Sequence, residues 1–298
     1  MSDTGPLLAA AFRAMDTAAE IAKGQAGAAT SKGDRDMVTD LDIGIERAVR
    51  ASLKQDAPEV AFLGEEESPG GSTKGLTWAL DPIDGTANLV HNLPLYAVSL
   101  ALVENDSALL GIIDMPMLGR RYWAARNQGA WLDGERIHVS GRDRLAEAMV
   151  TLGDYAVGDE AAAKNKLRLS VTAQLARSVL RVRMLGSAAI DLAWLAEGKT
   201  DACIILSNQP WDTAAGVVIA AEAGAQVVDL DGSPHTMRSK ATIGAPPGLI
   251  AEILDLMHRA RTLDTPEPLW PPSGDAPEPL VPEPLCDVPG EAGRFPAR

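Results

Sequence analysis

Leu7, Leu8, Ala11, Phe12, Met15, Ala18 and Ala19 recur at the three- and four-residue spacing of one helical face, which predicts an amphipathic helix over residues 5–23. A Gly-, Ala-, Ser- and Lys-rich segment, 24–35, then breaks the periodicity and reads as mobile. Thr39 and Asp40 are helix N-cap types, and the stripe Ile45, Ala48, Val49, Ser52 and Leu53 behind them predicts a second helix. Beyond it the period changes. Val60–Leu63 reads as a short strand running into Gly64-Glu65-Glu66-Glu67. After a Gly/Ser/Pro loop at 68–75, Leu76–Leu80, Tyr96–Val103, Leu109–Met115 and Arg121–Ala125 read as successive strands, with turns at Asn105-Asp106 and Asp133-Gly134.

From about residue 145 strands and helices alternate. Strands are predicted at Met149–Leu152, Val182–Leu185, Cys203–Leu206, Gln226–Leu230 and Thr242–Ala245, and helices at 160–178, 187–197, 212–223 and 247–261. Such alternation predicts a helix-flanked sheet. The expected fold class is α/β, with an α+β N-terminal part at 1–143 and an α/β C-terminal part at 144–262. Residues 263–298 differ from both. They hold half of the chain's twenty prolines and repeat Pro-Glu-Pro-Leu from Pro266, Pro277 and Pro282. Proline excludes helix and central strand, so this reads as an extended or disordered tail, either passive or a docking segment for a partner groove.

At 298 residues and 46% apolar content the chain is long enough for two subdomains sharing an interface. A net charge of −14 and a pI near 4.7 give no basic footprint for nucleic acid and no attraction to anionic membranes. Two cysteines, Cys203 and Cys286, suggest neither a disulfide framework nor a thiolate metal site, and fit a cytoplasmic setting. No secretory signal and no membrane-span run is legible.

Acids cluster at strand ends or helix starts: Asp36/Asp40/Asp42, Glu65/Glu66/Glu67, Asp81/Asp84 and Asp212. Asp40, Glu66 and Glu67 read as ordinary loop acids. Asp81 and Asp84 differ, because they close an apolar strand and flank a turn. Pro82 fixes its φ and lacks an N–H, leaving the Ile83 carbonyl free as an oxygen ligand. Gly85 and Thr86 follow, with N–H groups that a phosphate can approach. Clustered oxygens suit hard divalent cations. Asp212 is expected to open a helix, as an N-cap or aimed at a metal. The two-residue gap between Asp81 and Asp84 does not match the Asp-x-Asp spacing of aspartyl-phosphate enzymes. Gly-x-Ser-x-Gly is absent, and His91, His138, His235 and His258 lack zinc-site spacing.

Gly64-Glu65-Glu66, Asp81-Pro82-Ile83-Asp84-Gly85-Thr86 and Trp211-Asp212-x-Ala214-Ala215-Gly216 resemble, in order and approximate spacing, the motifs of the inositol monophosphatase family of Mg²⁺-dependent, Li⁺-sensitive phosphatases. The resemblance covers about residues 5–260. It implies a layered α-β-α-β-α sandwich, usually a homodimer, acting on a small phosphorylated metabolite. It also implies two to three Mg²⁺ ions. Glu65, Asp81 and the Ile83 carbonyl would hold the first, Asp81, Asp84 and Asp212 the second, and Glu65 would reach a third. Asp42 and Thr86 would orient and deprotonate the attacking water. The Gly85 and Thr86 N–H groups would bind phosphate, and Gly186-Ser187-Ala188, with Asp84 and Asp212, would border the substrate.

Inositol 1-phosphate or a related polyol or sugar phosphate is the expected substrate. One position departs from the family pattern. Seven residues before Asp212, where inositol-selective members carry a glutamate that binds ring hydroxyls, stands Ile205. Ser207 and Asn208 are the neighbours able to supply an acceptor instead. Histidinol phosphate, 3′-phosphoadenosine 5′-phosphate, a nucleoside phosphate and fructose 1,6-bisphosphate are therefore alternative substrates.

Overall fold

The computed structural model describes residues 4–24, 29–33, 36–68 and 75–262, and these fall in one compact unit. The Pro-Glu-Pro-Leu repeats, Cys286 and most of the 68–75 loop lie outside the described residues.

In chain order the elements are α1 (Gly5–Ala22), β1 (Ala29–Gly33), β2 (Asp36–Thr39), α2 (Asp40–Asp56), β3 (Ala61–Gly64), β4 (Leu76–Asp84), α3 (Thr86–Val90), β5 (Ala97–Glu104), β6 (Ser107–Met115), β7 (Arg120–Ala125), β8 (Ala130–Leu132), β9 (Glu135–Ile137), β10 (Met149–Leu152), α4 (Ala161–Ser178), β11 (Arg181–Arg183), α5 (Ala188–Ala196), β12 (Ala202–Ile205), α6 (Pro210–Glu222), β13 (Gln226–Val228), β14 (Thr242–Ala245) and α7 (Ile250–Thr262). Strands β3 to β9 form one sheet in sequence order, antiparallel except for the parallel β3–β4 pair. A second sheet has the order β11-β10-β12-β14-β13, with β14 antiparallel to both its neighbours and β10 parallel to β11 and β12.

Three apolar clusters show how the layers stack. Ile45, Val49 and Met15 of the first two helices pack on Trp78, Leu80, Leu100 and Ile112, one face of the larger sheet. The other face presents Ala79, Ala97 and Ala101 to α5 and α6, whose far side meets Cys203 and Ile205 of the smaller sheet. Beyond that sheet α4 and α7 cover Val150, Leu152, Ile204 and Ile243. The architecture is the expected α-β-α-β-α sandwich. Both faces of both sheets are covered, which is why their central strands read as near-continuous apolar runs rather than as alternation.

Helix α6 comes very close to its neighbours. A Cβ added at Gly111 of β6 would lie 2.6 Å from the Ala215 Cα, and one added at Gly216 would lie 2.5 Å from the Leu192 Cβ of α5. Backbone meets backbone at Gly111, and at Gly216 the Leu192 side chain rests directly on the backbone of α6, because neither glycine has a side chain in the way.

Several elements depart from the expectation. Residues 29–33 of the segment read as mobile pair with β2 as strand β1. Thr39 alone is the N-cap of α2; Asp40 is already its first residue. Helix α6 begins two residues before Asp212, capped by Gln209 with Pro210 in the first turn, so Asp212 is not its cap. The short helix α3 has too few residues to show a helical period. Among the described residues no helix is long and apolar enough to cross a membrane.

Candidate active site

Helix α2 carries two acids on its buried face, Asp42 and Glu46, beside Ile45 and Val49. Asp42 closes a capping box: its Oδ2 accepts from the Thr39 N–H at 2.9 Å and the Thr39 hydroxyl at 2.5 Å. That leaves Oδ1 facing the Thr86 hydroxyl at 3.3 Å. Glu46 is fully buried, and its carboxylate accepts from the Glu66 N–H (2.8 Å) and the Glu67 N–H (3.0 Å). The turn after β3 is therefore wrapped around a carboxylate. Gly64 permits the approach, since a Cβ there would stand 2.5 Å from Glu46. Parallel pairing of Gly64 with Leu80, and a Glu65 N–H to Leu80 carbonyl bond of 3.3 Å, bring Glu65 alongside Asp81. Glu67 turns outward to Arg47 at 2.6 Å, the surface role expected of it.

At the end of β4 the ladder to β5 shifts register between Asp81 and Asp84. Pro82, which has no N–H to give, sits in this bulge. The Asp81 Oδ1 accepts from the Ile83 N–H at 2.9 Å, which closes the bulge locally. The Ile83 carbonyl is not wholly free, as expected from Pro82; it accepts the Thr86 hydroxyl at 3.0 Å and keeps one lone pair. Asp84 points across to the start of α5, where the Ser187 hydroxyl and the Ala189 N–H both reach its Oδ2 at 2.6 Å.

Gly85 has φ +97°, open to glycine at little cost, and a Cβ there would crowd the Leu95 carbonyl at 3.0 Å and the Gly186 carbonyl at 3.1 Å. The Asn88 amide then ties the two loops together, donating to the Leu95 carbonyl at 2.7 Å and the Leu185 carbonyl at 2.8 Å. On the other side, Ser99, paired with Asp81 in the β4–β5 ladder, donates its hydroxyl to the Trp211 carbonyl at 3.3 Å. Asp212 follows directly, in the first turn of α6.

These placements gather five carboxylates. Burial is the largest influence on Asp81, and Glu65, Asp84, Asp212 and Asp42 all add to it, holding its carboxyl well above the usual carboxylate range. Burial likewise raises Asp84, to about 6, with the hydrogen bonds from Ser187, Ala189 and Ala188 restraining the rise. The groups pressing hardest on Asp81 are all anionic oxygens. That donor set fits a hard divalent cation, whose charge would reverse the repulsion. Among the described residues no three acidic, histidine or cysteine side chains are drawn in closely enough to hold an ion as they stand. The set is gathered at charge–charge range.

Of the sequence-derived residues, Asp42, Glu65, Asp81, Ile83, Asp84, Thr86 and Asp212 come together here. Gly186 abuts Asn88, Ala188 opens α5, and the Ser187 hydroxyl is engaged with Asp84 and the Ile190 N–H. Glu46, Asn88 and Ser99 escaped sequence reasoning. For Glu46 a signal existed, an acid at a core position of an amphipathic stripe. The histidines form no ligand set: His235, held neutral by burial with its pKa lowered to about 4, contacts Thr242 and Asn208. A cavity of about 430 Å³ beside Ser140, Arg142, Met149 and Asp201 lies at the opposite ends of β10 and β12, and the Arg142–Asp201 ion pair of 3.3 Å is part of its lining.

The chain as a whole is similar to known proteins. The profile of the inositol monophosphatase family matches residues 3–261. The inositol-1-monophosphatase ImpA of Mycolicibacterium smegmatis is 32% identical over 253 residues, 84% of this chain and 91% of its own length. A fructose-1,6-bisphosphatase/inositol-1-monophosphatase of Thermotoga maritima is 35% identical over 209 residues, 70% of this chain and 77% of its own. Among solved structures, a Thermotoga maritima IMPase superposes with a TM-score of 0.75 at 29% identity, covering 84% of this chain and 96% of that one.

Proposed function

The chain belongs to the inositol monophosphatase family, whose members are metal-dependent phosphoric monoester hydrolases, and on that premise we propose that it hydrolyses inositol 1-phosphate or a related polyol or sugar phosphate at the carboxylates around Asp81, with Mg²⁺ as the metal. The observation that carries this reading is the convergence of Glu65, Asp84, Asp212 and Asp42 on buried Asp81, with Thr86 in contact with Asp42.

Glu65, Asp81 and the Ile83 carbonyl would hold one ion and Asp81, Asp84 and Asp212 a second, with Glu65 reaching a third. Such ions, when bound, offset the charge of the phosphate dianion, acidify a water and keep attacking and leaving oxygens in line. The chain's own groups supply the rest. Thr39 fixes one oxygen of Asp42, so the other faces Thr86. The Thr86 hydroxyl donates toward Asp42 or the Ile83 carbonyl, which leaves its oxygen to accept from the attacking water. The water's proton then passes by way of Thr86 to Asp42. Gly85 and Thr86 N–H groups receive the phosphate oxygens. Gly186, Ser187 and Ala188 border the alcohol portion. No covalent intermediate is required. Li⁺ sensitivity, a homodimer and a cytoplasmic setting belong to the same reading and rest on the family resemblance.

A second reading, a different phosphate ester, has its own support. Ile205 is 3% exposed and packs in the core between the layers. Asn208 does not replace the missing acceptor: its amide donates to the Ser239 carbonyl at 3.1 Å, and its oxygen accepts from Thr242 at 2.9 Å. Histidinol phosphate, 3′-phosphoadenosine 5′-phosphate, a nucleoside phosphate and fructose 1,6-bisphosphate are the competitors. Phosphate release from each, measured beside inositol 1-phosphate with and without Mg²⁺ and Li⁺, decides between them. Release that is independent of Mg²⁺ would sink both readings; a preference for another ester would sink only the first.

A further inference from the structure

We propose that Glu46 is a positioning residue for the turn that carries Glu65, and that its carboxylate sets how tightly the chain holds a divalent ion there. The proposal rests on the metal-dependent phosphatase reading above and deepens it.

Glu46 stands at a core position of α2, fully buried, one helical turn after Asp42. Burying a carboxylate costs free energy unless donors match its oxygens. Here both oxygens are matched from one turn: Oε2 accepts from the Glu66 N–H at 2.8 Å and Oε1 from the Glu67 N–H at 3.0 Å. Two successive backbone N–H groups aimed at one anion form a nest. The turn closes through the Gly64 N–H on the Ser68 carbonyl at 3.4 Å. The carboxylate lies against Gly64, where a Cβ would stand 2.5 Å from its Cδ and its Oε1.

These contacts bracket Glu65. Residues 64, 66 and 67 touch the carboxylate, and the Glu65 N–H itself goes to the Leu80 carbonyl at 3.3 Å, next to Asp81. The turn thus has one anchor on β4 and one on α2. The second anchor belongs to the helix whose first turn holds Asp42, fixed by Thr39. One rod therefore spaces the group that would accept the water's proton from a ligand of the first ion. The outer grips on the same turn differ in kind. Arg47 reaches Glu67 at 2.6 Å and Arg50 donates to the Ser68 hydroxyl at 3.0 Å, both from exposed side chains. Exposed pairs are screened and hold position weakly. An apolar residue at 46 would fill the same core but offer the Glu66 and Glu67 N–H groups no acceptor. A glutamine offers one acceptor and two donors, so one of the two N–H groups would face an amide N–H. Groups that orient a metal ligand in this way govern metal affinity by about 10–100-fold.

Glu46→Gln in the full chain tests this. The half-saturating Mg²⁺ concentration is read twice, from the rise in Tm without substrate and from phosphate release at saturating ester. Both should move up about tenfold or more, while kcat at saturating Mg²⁺ and KM for the ester stay within about threefold. Arg47→Ala, which loosens only the outer grip, should stay within about twofold in every reading. The metal-free Tm of Glu46→Gln is expected to fall as well. That fall alone, with Mg²⁺ half-saturation unmoved, would reduce Glu46 to a packing residue and overturn the proposal. So would an Arg47→Ala variant as impaired as Glu46→Gln. If Glu46→Gln does not fold, Glu46→Asp, which keeps the charge but is one methylene too short to reach both N–H groups, is held to the same outcomes. An unmodified chain that Mg²⁺ neither stabilises nor activates would sink the metal-dependent reading itself, a result distinct from failure of the Glu46 variants.

Discussion

Asp81 and Asp84 ride on β4, a strand paired on both sides and covered on both faces, whereas the loops that follow β10 and β12 are held by single side chains gripping backbone. In the larger sheet the site is carried by ladder register: pairing Gly64 with Leu80 and Asp81 with Ser99 fixes where Glu65 stands and where Trp211 is tied. In the smaller sheet the same task falls to Arg168, Asn165 and Asn208. A ladder places several groups with one register choice, and a slip would turn every side chain to the wrong face. Clamps place one loop each, so each can vary alone. The groups proposed to act on the bond to be broken therefore gather on or beside the ladder, and Asp212 joins them from the first turn of α6.

Substitutions can break this division. The largest effect is expected from Asp84→Asn, which removes a charge proposed to hold the second ion, at a carboxylate on which the Ser187 and Ala189 donors converge. Mg²⁺-dependent phosphate release should fall by about three orders of magnitude or more on every ester, with the far-ultraviolet circular dichroism unchanged. Turnover near the unmodified level would mean that the ladder half does not carry the reaction. Next comes Gly64→Ala. Its Cβ would sit against the Glu46 carboxylate, so either the turn or Glu46 must move, at a cost of about 1–3 kcal/mol in urea unfolding, and activity should drop on all esters alike. Arg168→Met should cost a similar about 1–3 kcal/mol by removing the donor that the Asp154 and Leu206 carbonyls share. Its kinetic signature should differ, with the half-saturating Mg²⁺ concentration spared. If Gly64→Ala and Arg168→Met gave the same Mg²⁺ dependence, the two halves would not be separable.

A smaller effect comes from pH. Asp84 is raised to about 6 in the folded protein and Asp81 is raised with it, against unfolded values near 4. Between about pH 4 and 6 the folded, metal-free protein holds more protons than the unfolded chain, so these two groups make stability fall as pH rises. Divalent ions need the deprotonated carboxylates. The rise in Tm on adding Mg²⁺ should therefore grow as pH climbs from 4 through 6, by on the order of a few degrees, followed by scanning fluorimetry. A Mg²⁺ effect that is constant across that window would place the ions away from Asp81 and Asp84. Smallest of all, truncation after Thr262 should leave kcat and KM unchanged, since every group invoked lies before it.

The same division explains what could be read from the sequence. Residues 81–86 are contiguous, and their ligand chemistry and turn chemistry coincide, so the ladder half of the site was legible. The two covered sheets were legible too, as apolar runs. Glu46 hid because its partners, the Glu66 and Glu67 N–H groups, lie twenty and twenty-one residues away on the chain. Arg168 hid for a stronger reason: on α4 it looks like any surface arginine, and only the fold brings the Asp154 and Leu206 carbonyls to it, fourteen and thirty-eight residues distant. The start of α6 was misplaced because Asp212 has the chemistry of a cap, while Pro210 takes the first turn.

Gly111 and Gly216 give the molecule a seam without slack. Where most neighbouring layers are separated by interleaved side chains that can change rotamer, here the backbone of β6 touches that of α6 one turn from Asp212, with the Leu192 side chain of α5 set directly against Gly216. Such a contact transmits position without a cushion, so the span between Asp81 and Asp212 behaves as a fixed gauge. Whatever ester the chain accepts, the gauge is cut to the phosphate, and variation in size has to be taken up at the rim.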